Sequence, residues 1–485
     1  MITLPNRLSE TQHIVIVGGG ISGLSAAWFI QEAKRKGANV RYTVIEASNR
    51  WGGKVLTEQV NEFSDVPFVI EAGPDSFLTQ KPWAIQLARD LGLGDHLINI
   101  NSQQTTTYVL HHGKPVKLPE GVALIVPTRL LPFVRSPLIS WRGKLRMGLE
   151  LFMPAKRDND DESLADFVRR RLGNEALEIF AEPLLAGIYN AETSKQSLLA
   201  TFPRFRQMER EYGSLIRGTI AARRPQAATS HPKPAAFMSL TGGTQQLIDS
   251  LVSHLHSELR LQTRLSSLEQ TPGGQYRLFT DNGDTIDADA VLITTPAYTA
   301  ADLLRPLNRD VAQKLSSILY LSSGTVSLAF HITDIGRPLD GFGLVIPKRE
   351  RRPINALTIS SVKFSHRAPD GYSLLRVFFG GSRSPETLSY DDSKLLNVVM
   401  QELRSLLGIE AAPLFHRIYR WHRANPQYDV NHLERIADIE SNLPQGVYLT
   451  GSAFRGVGMP DCIYQSQQTV TAIIQHLKQP EVQQA

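Results

Sequence analysis

An α/β fold is predicted by three observations. A strand, a glycine-rich turn, a helix and a second strand follow one another near the start (HIVIVGGGISGLSAAWFIQEAKRKGANVRYTVIEASNRWGG, residues 13–53). A strand meander returns to a buried strand ahead of Pro296, and a strand–glycine turn–helix comes close to the other end. Together they describe a Rossmann-type dinucleotide-binding domain that is discontinuous in the chain. A sheet-based second domain and a helical one occupy the stretches between. At 485 residues the chain has room for two or three cores.

The first strand, residues 14–17, runs into Gly18, Gly19, Gly20, Ile21, Ser22 and Gly23, and a helical pattern follows from Leu24. Gly18 permits a tight turn, Gly20 lets the backbone approach a pyrophosphate, and Gly23 lets helix and strand pack closely. The helix N-terminus then points free N–H groups and a positive dipole end at phosphate. The next strand, residues 42–45, ends on Glu46, where a carboxylate can accept hydrogen bonds from both ribose hydroxyls. An acid there disfavours a 2′-phosphate. Arg50-Trp51-Gly52-Gly53 continues it as ExxxRxGG. This pattern resembles that of the amine-oxidase-like flavoproteins, where an arginine and a second glycine pair close over the diphosphate. FAD, rather than NAD, is the expected cofactor.

Composition is that of an ordinary globular protein: 42% hydrophobic and 20% charged residues, with a formal charge of +5. The mild basic excess suits an anionic substrate or an anionic membrane surface, and no nucleic-acid-binding motif accompanies it. With one cysteine, Cys462, neither an internal disulfide nor a cysteine-based metal site is expected, and Cys462 reads as a small buried side chain. Residues 1–12 carry no charged start followed by an apolar run, and no apolar stretch approaches a membrane span. The expected compartment is the cytoplasm, with peripheral membrane contact left open.

After Gly53 an apolar strand runs into Gly73-Pro74-Asp75-Ser76, a turn suited to close backbone approach and, after RxGG, to facing a flavin. Lys81 follows, with Pro82 early in the next helix; by itself it reads as a solvated lysine. Residues 81–224 look mainly helical. Asp160 to Ser163 start one helix that ends at Gly173, and another from Ala176 stops near Pro183. Within residues 121–148, Pro127, Pro132 and Pro137 rule out one continuous helix. Apolar residues there mix with Arg129, Arg135, Arg142, Lys144 and Arg146. The stretch suits an interfacial patch, a channel wall, or a pair of buried helices with arginine stems outside. Arg204, Arg206, Arg210, Arg217, Arg223 and Arg224 follow, and residues 225–234 form a proline-rich connector.

Residues 260–265, 276–280 and 285–287 alternate as strands, and residues 289–295 form a buried strand completing the dinucleotide-binding sheet. Strands at residues 325–330, 342–346, 356–361 and 374–379, with a helix over 392–407, describe a substrate domain. Lys348, Arg349, Arg351 and Arg352 read as a solvated hairpin. Trp421 suits an aromatic wall better than His422 suits a catalytic base. Residues 446–463 end a strand in Gly451 and turn through Gly456 and Gly458. Pro460-Asp461 then opens a helix that Asp461 can cap. The domains expected are residues 1–80, 235–309 and 436–485 for FAD, 81–224 for the helical part, and 310–435 for substrate.

GGGISGL, EASNRWGGK, GPDSFLTQK, EPLLAGIY (182–189), TFPRF (201–205) and GVGMPDCI (456–463) together resemble the FAD-dependent porphyrinogen oxidases of haem biosynthesis, a branch of the amine-oxidase superfamily. GPDSF with Lys81 resembles the soluble bacterial branch acting on coproporphyrinogen III. The resemblance implies FAD contacts at Gly18 to Gly23, Glu46, Ala47, Arg50, Gly52, Gly53, Lys54, Gly73 to Ser76, Leu265, Trp421, Gly451, Val457, Gly458 and Met459. It raises Lys81 to a catalytic candidate. It implies non-covalent FAD, no metal, and three two-electron oxidations of a porphyrinogen with dioxygen as acceptor and hydrogen peroxide as product. The alternatives within reach of the same motifs are a protoporphyrinogen IX oxidase, an amine or carotenoid oxidoreductase, and a non-catalytic flavin-containing porphyrin carrier. A ferrochelatase partner follows from pathway logic alone.

Overall fold

Five strands from three separated parts of the chain form one parallel sheet, in the order Glu258–Arg260, Val40–Ile45, Gln12–Val17, Ala290–Ile293, Val447–Leu449. The computed structural model describes residues 11–123, 125–127, 129–221, 236–336 and 341–478. The connector read at residues 225–234, with Arg223 and Arg224, lies outside them.

The near-continuous apolar runs of these strands follow from burial on both faces. One face packs against the helices Ile21–Arg35, Gln245–His254 and Met459–Lys478, with Leu24, Ile30, Ile248 and Ile463 in the shared core. The other is covered by the antiparallel meander Leu265–Gln270, Tyr276–Thr280 and Thr285–Ala288 and by the helices Ala297–Leu304 and Arg309–Ser316. Every strand of this sheet points the same way, so Val17, Ile45, Ile293 and Leu449 end along one edge. The loops that leave that edge form the crevice in which such sheets bind ligands.

A seven-stranded sheet forms the second layer, in the order Phe415–Pro426, Tyr320–His331, Tyr372–Gly380, Ala356–Ile359, Gly341–Val345, Thr106–His111, Lys114–Lys117. The helix Asp392–Leu407 covers it with Leu395, Val399, Leu403 and Leu406, one side of a 3.6-residue repeat. Asp391 caps its start and Gly408, left-handed at φ 69°, ends it. A helical layer around Phe167, Phe180 and Leu198 forms a separate core.

The structure departs from the sequence expectations in four places. The first helix begins at Ile21, three residues before Leu24, because the glycine turn is shorter than the pattern suggested. Residues 260–265 are a corner between the strands Glu258–Arg260 and Leu265–Gln270, with Gln262 at φ 51°. The helix meant to stop at Pro183 continues through it as a π-helix, Leu177–Ala186; the wider turn tolerates a residue without an N–H. The stretch read as mainly helical supplies Thr106–His111 and Lys114–Lys117 to the large sheet. Among the described residues no helix is long and apolar enough to cross a membrane.

Candidate functional site

The glycine turn after Gln12–Val17 leaves no room for side chains at Gly18, Gly19 and Gly23. Gly18 takes φ 114°, a Cβ on Gly23 would stand 1.9 Å from the Gly18 carbonyl oxygen, and one on Gly19 would meet the Trp51 ring at 2.4 Å. The helix Ile21–Arg35 starts at Gly20 with no side-chain cap, so its first N–H groups stay available to an anion. The RxGG turn lies directly against this loop: Gly52 N donates to Gly19 O at 2.8 Å, and Gly20 and Gly52 form a bridge. Arg50 is folded into its own turn, donating to Val55 O at 3.1 Å and to Gly53 O. Burial pushes its guanidinium pKa down, and Glu46 opposes this. Two glycine turns pressed together around an uncapped helix start fit the diphosphate of a dinucleotide.

Glu46 follows the end of Val40–Ile45. Its carboxylate accepts from Gly19 N at 2.7 Å and Ser48 N at 2.8 Å, so it fastens the glycine loop to the strand end. Ala47 is exposed beside it. Thr263 N donates to Glu46 O at 2.9 Å, and two residues later Leu265 is buried at the start of the meander. These residues line one end of the crevice.

The other end is made by the Gly73–Ser76 turn, Lys54, Lys81 and the start of the last helix. A Cβ on Gly73 would stand 1.9 Å from Lys54 O. Arg376 donates to Gly73 O at 2.6 Å and Trp421 Nε1 to Ala72 O at 2.8 Å, both reaching in from the seven-stranded sheet. Asp75 pairs with Lys363 at 2.8 Å. Burial works to raise the Asp75 carboxyl, but Lys363 and Arg376 outweigh it and hold it well below the usual carboxylate range. Pro74 O accepts from Thr244 Oγ1 at 3.0 Å. The turn is thus locked from both domains rather than left as a loop.

Lys54 Nζ is buried against Ala424 O, and burial pushes its ammonium pKa down. A Cβ on Gly451, at φ 131°, would stand 3.5 Å from Ser22 Oγ, while Gly456 and Gly458 wrap the Asp461 side chain. The helix begins at Met459, after Val457 and Gly458. Asp461 therefore stands inside its first turn, and the expected cap is corrected: its carboxylate belongs to Lys81, whose Nζ lies 2.7 Å from both oxygens. Lys81 is thus ion-paired while its side chain stays 39% exposed.

Sequence reasoning missed Asp461 as Lys81's partner, and also Lys363, Arg376, Tyr189 and Tyr428. Tyr189 stands within electrostatic reach of Asp461, and burial pushes its phenol up. Tyr428 donates to Ser452 O at 2.7 Å and accepts from Gly456 N at 2.9 Å, fixing the glycine turn ahead of the last helix. Tyr189 and Asp461 stood in quoted motifs; Lys363, Arg376 and Tyr428 carried no local signal. His422 is exposed, and burial pushes the Cys462 thiol up to about 11, in keeping with a buried, unreactive side chain. The Lys348 charge run is not simply solvated: with Glu178, Glu182 and Arg383 it lines a cavity of about 660 Å³ beside the π-helix. Among the described residues no metal-binding cluster occurs.

Residues 21–474 match the family described as flavin containing amine oxidoreductase. The chain is 36% identical to the coproporphyrinogen III oxidase of Bacillus subtilis (strain 168), over 96% of this chain and 98% of that protein. It is 31% identical to the chloroplastic protoporphyrinogen oxidase of Nicotiana tabacum, over 93% of this chain and 83% of that one. A crystal structure from Exiguobacterium sp. 255-15, titled provisionally as a protoporphyrinogen oxidase, superposes with a TM-score of 0.84 at 32% identity, covering 97% of this chain and 100% of that one. With the crevice, the glycine turns and this match in agreement, the chain belongs to the flavin-containing amine oxidoreductases and is an FAD-dependent oxidase.

Proposed function

We propose that this protein is an oxygen-dependent coproporphyrinogen III oxidase of haem biosynthesis. The observation that carries the reading is Lys81, just after the GPDSF turn, paired to Asp461 in the first turn of the last helix. Full-length likeness to the Bacillus subtilis enzyme supports the substrate. Bound FAD would supply hydride acceptance from a meso carbon of the macrocycle and reoxidation by dioxygen, which would give hydrogen peroxide. The chain's own residues bind and orient. Gly18 to Gly23 and the helix start hold the diphosphate, and Glu46 the ribose. Lys81, released from Asp461, meets a propionate of the substrate. Three rounds aromatise the ring.

The protein's expected compartment is the cytoplasm, and a ferrochelatase partner rests on pathway logic alone. A second reading, protoporphyrinogen IX oxidase, is favoured by the names of the tobacco and Exiguobacterium proteins. Anaerobic addition of coproporphyrinogen III to the FAD-loaded protein tests the proposal. The flavin absorbance bleaches if the protein is an oxidase of this substrate and stays if it is a carrier. In air, three equivalents of peroxide per porphyrin are expected.

A further inference from the structure

The large sheet and the helical layer meet in a cavity of about 660 Å³ that shares no residue with the FAD crevice. One wall is the π-helix Leu177–Ala186, through Glu178 and Glu182. The other is made by the loops that follow the strands Gly341–Val345 and Tyr372–Gly380. Arg383 ties the two walls together, donating to Ile346 O at 2.6 Å and to Glu182 O at 2.9 Å, and keeps N–H donors to spare. The cavity is therefore built by two layers of the fold rather than by one surface loop. A π-helical turn beside it is a further sign of function, since such turns concentrate at functional sites.

The lining holds more cations than anions. Lys348, Arg349, Arg351, Arg352 and Arg383 face three carboxylates. Arg349 stands 4.0 Å from Glu178 and Arg352 stands 3.3 Å from Glu402, so these two are partly committed. Among the described residues Lys348 and Arg351 have no carboxylate within 4.0 Å. The carboxylate of their own loop, Glu350, is occupied by the backbone N–H groups of His112 and Gly113. Arg351 takes φ 52° and ψ 43°, a left-handed conformation that favours glycine. Strain of this kind persists where a site needs the side chain. Burial raises the Glu182 carboxyl pKa against Arg383 and Lys348, and lowers that of the Arg383 guanidinium against Glu182. An incoming anion would relieve Arg383 and meet little opposition from Glu182. Apart from Pro353, every lining side chain among the described residues is charged. A flat macrocycle or an acyl chain would find nothing to pack on, whereas a compact anion with several oxygens finds guanidinium forks. We propose that this cavity binds an oligophosphate, held by Lys348, Arg351 and Arg383, at a site separate from the FAD crevice. The site is independent of which porphyrinogen the crevice oxidises.

The test is isothermal titration of the FAD-loaded full chain with inorganic triphosphate, with adenosine triphosphate, and with sulfate at the same ionic strength. Expected is one triphosphate per chain, weakened by salt, with sulfate at least about tenfold weaker because it reaches fewer of the cations. Equal affinity for the two triphosphates assigns the free oligophosphate; tighter binding of the nucleotide assigns its phosphate tail, and both support the site. Arg351→Gly suits the left-handed backbone and keeps the fold, yet should weaken triphosphate about tenfold. Lys348→Ala should do the same, with FAD content and ligand-free melting temperature unchanged in both variants. Absence of binding, sulfate bound as tightly as triphosphate, or an affinity that survives both substitutions overturns the proposal. Release of FAD by triphosphate overturns it too, by assigning the heat to the crevice.

Discussion

Lys81 and Asp461 lie 380 residues apart and meet in one bidentate ion pair, so each controls what the other can bind. A charge-assisted hydrogen bond to a carboxylate is worth about 1.5–3 kcal/mol, less where water reaches it, and the Lys81 side chain is 39% exposed. Lys81→Ala is therefore expected to lower kcat/KM for a porphyrinogen about tenfold with FAD content unchanged; steady-state porphyrin fluorescence with a flavin absorbance count checks both. A kcat/KM equal to the parent's would return Lys81 to the role of a surface lysine. Glu46 acts on the other end. It holds Gly19 N and Ser48 N and, on the proposed reading, the ribose, so Glu46→Ala should both loosen the glycine loop and weaken FAD. Loss of most flavin on gel filtration is the expected result, and full retention would contradict the assignment. The sequence pointed to Glu46 through its place at a strand end. It could not show that Lys81 has a partner, since nothing near residue 81 encodes the approach of residue 461.

At the level of elements, the glycine turn and the helix Ile21–Arg35 form one unit. A methyl group on Gly23 would meet the Gly18 carbonyl at 1.9 Å, backbone against backbone, so Gly23→Ala must push helix and strand apart. Overpacking of this kind costs about 1–3 kcal/mol, and a lower melting temperature with reduced FAD occupancy is expected from thermal scans with and without added FAD. These elements were legible because their chemistry is local: four glycines, an acid and an apolar period lie within 40 residues. The π-helix Leu177–Ala186 was not legible, because its continuation past Pro183 depends on burial of Phe180 and Leu185 in the helical core. The strands Thr106–His111 and Lys114–Lys117 were missed for a similar reason. Thr106–His111 pairs with Gly341–Val345, more than two hundred residues away, which a local pattern cannot reveal.

On the scale of the whole molecule, the FAD crevice is closed by groups from every part of the chain, and its rigidity depends on buried polar contacts between them. His432 is one: fully buried, it stacks on Tyr428 at 4.0 Å between ring centroids, with Nε2 2.9 Å from Phe454 O. Burial lowers its pKa from 6.5 to about 4. The unfolded chain thus binds the proton more readily, and the stability from neutral His432 is full above pH 6.5 and is lost as pH falls towards 4. At 1.36 kcal/mol per unit this is about 3 kcal/mol, and His432→Gln should flatten that part of the urea-midpoint profile. Discontinuity of the dinucleotide-binding sheet was readable from three strands, two running into glycine turns and one stopping ahead of Pro296. The locking of Gly73–Ser76 by Lys363 and Arg376 was not, because it exists only once the two sheets face each other. The central claim concerns what this assembled crevice oxidises. Aerobic oxidation of coproporphyrinogen III and protoporphyrinogen IX, measured side by side by porphyrin fluorescence, tests it most directly. Faster turnover of the tetracarboxylate is predicted; a clear preference for the dicarboxylate would contradict the account.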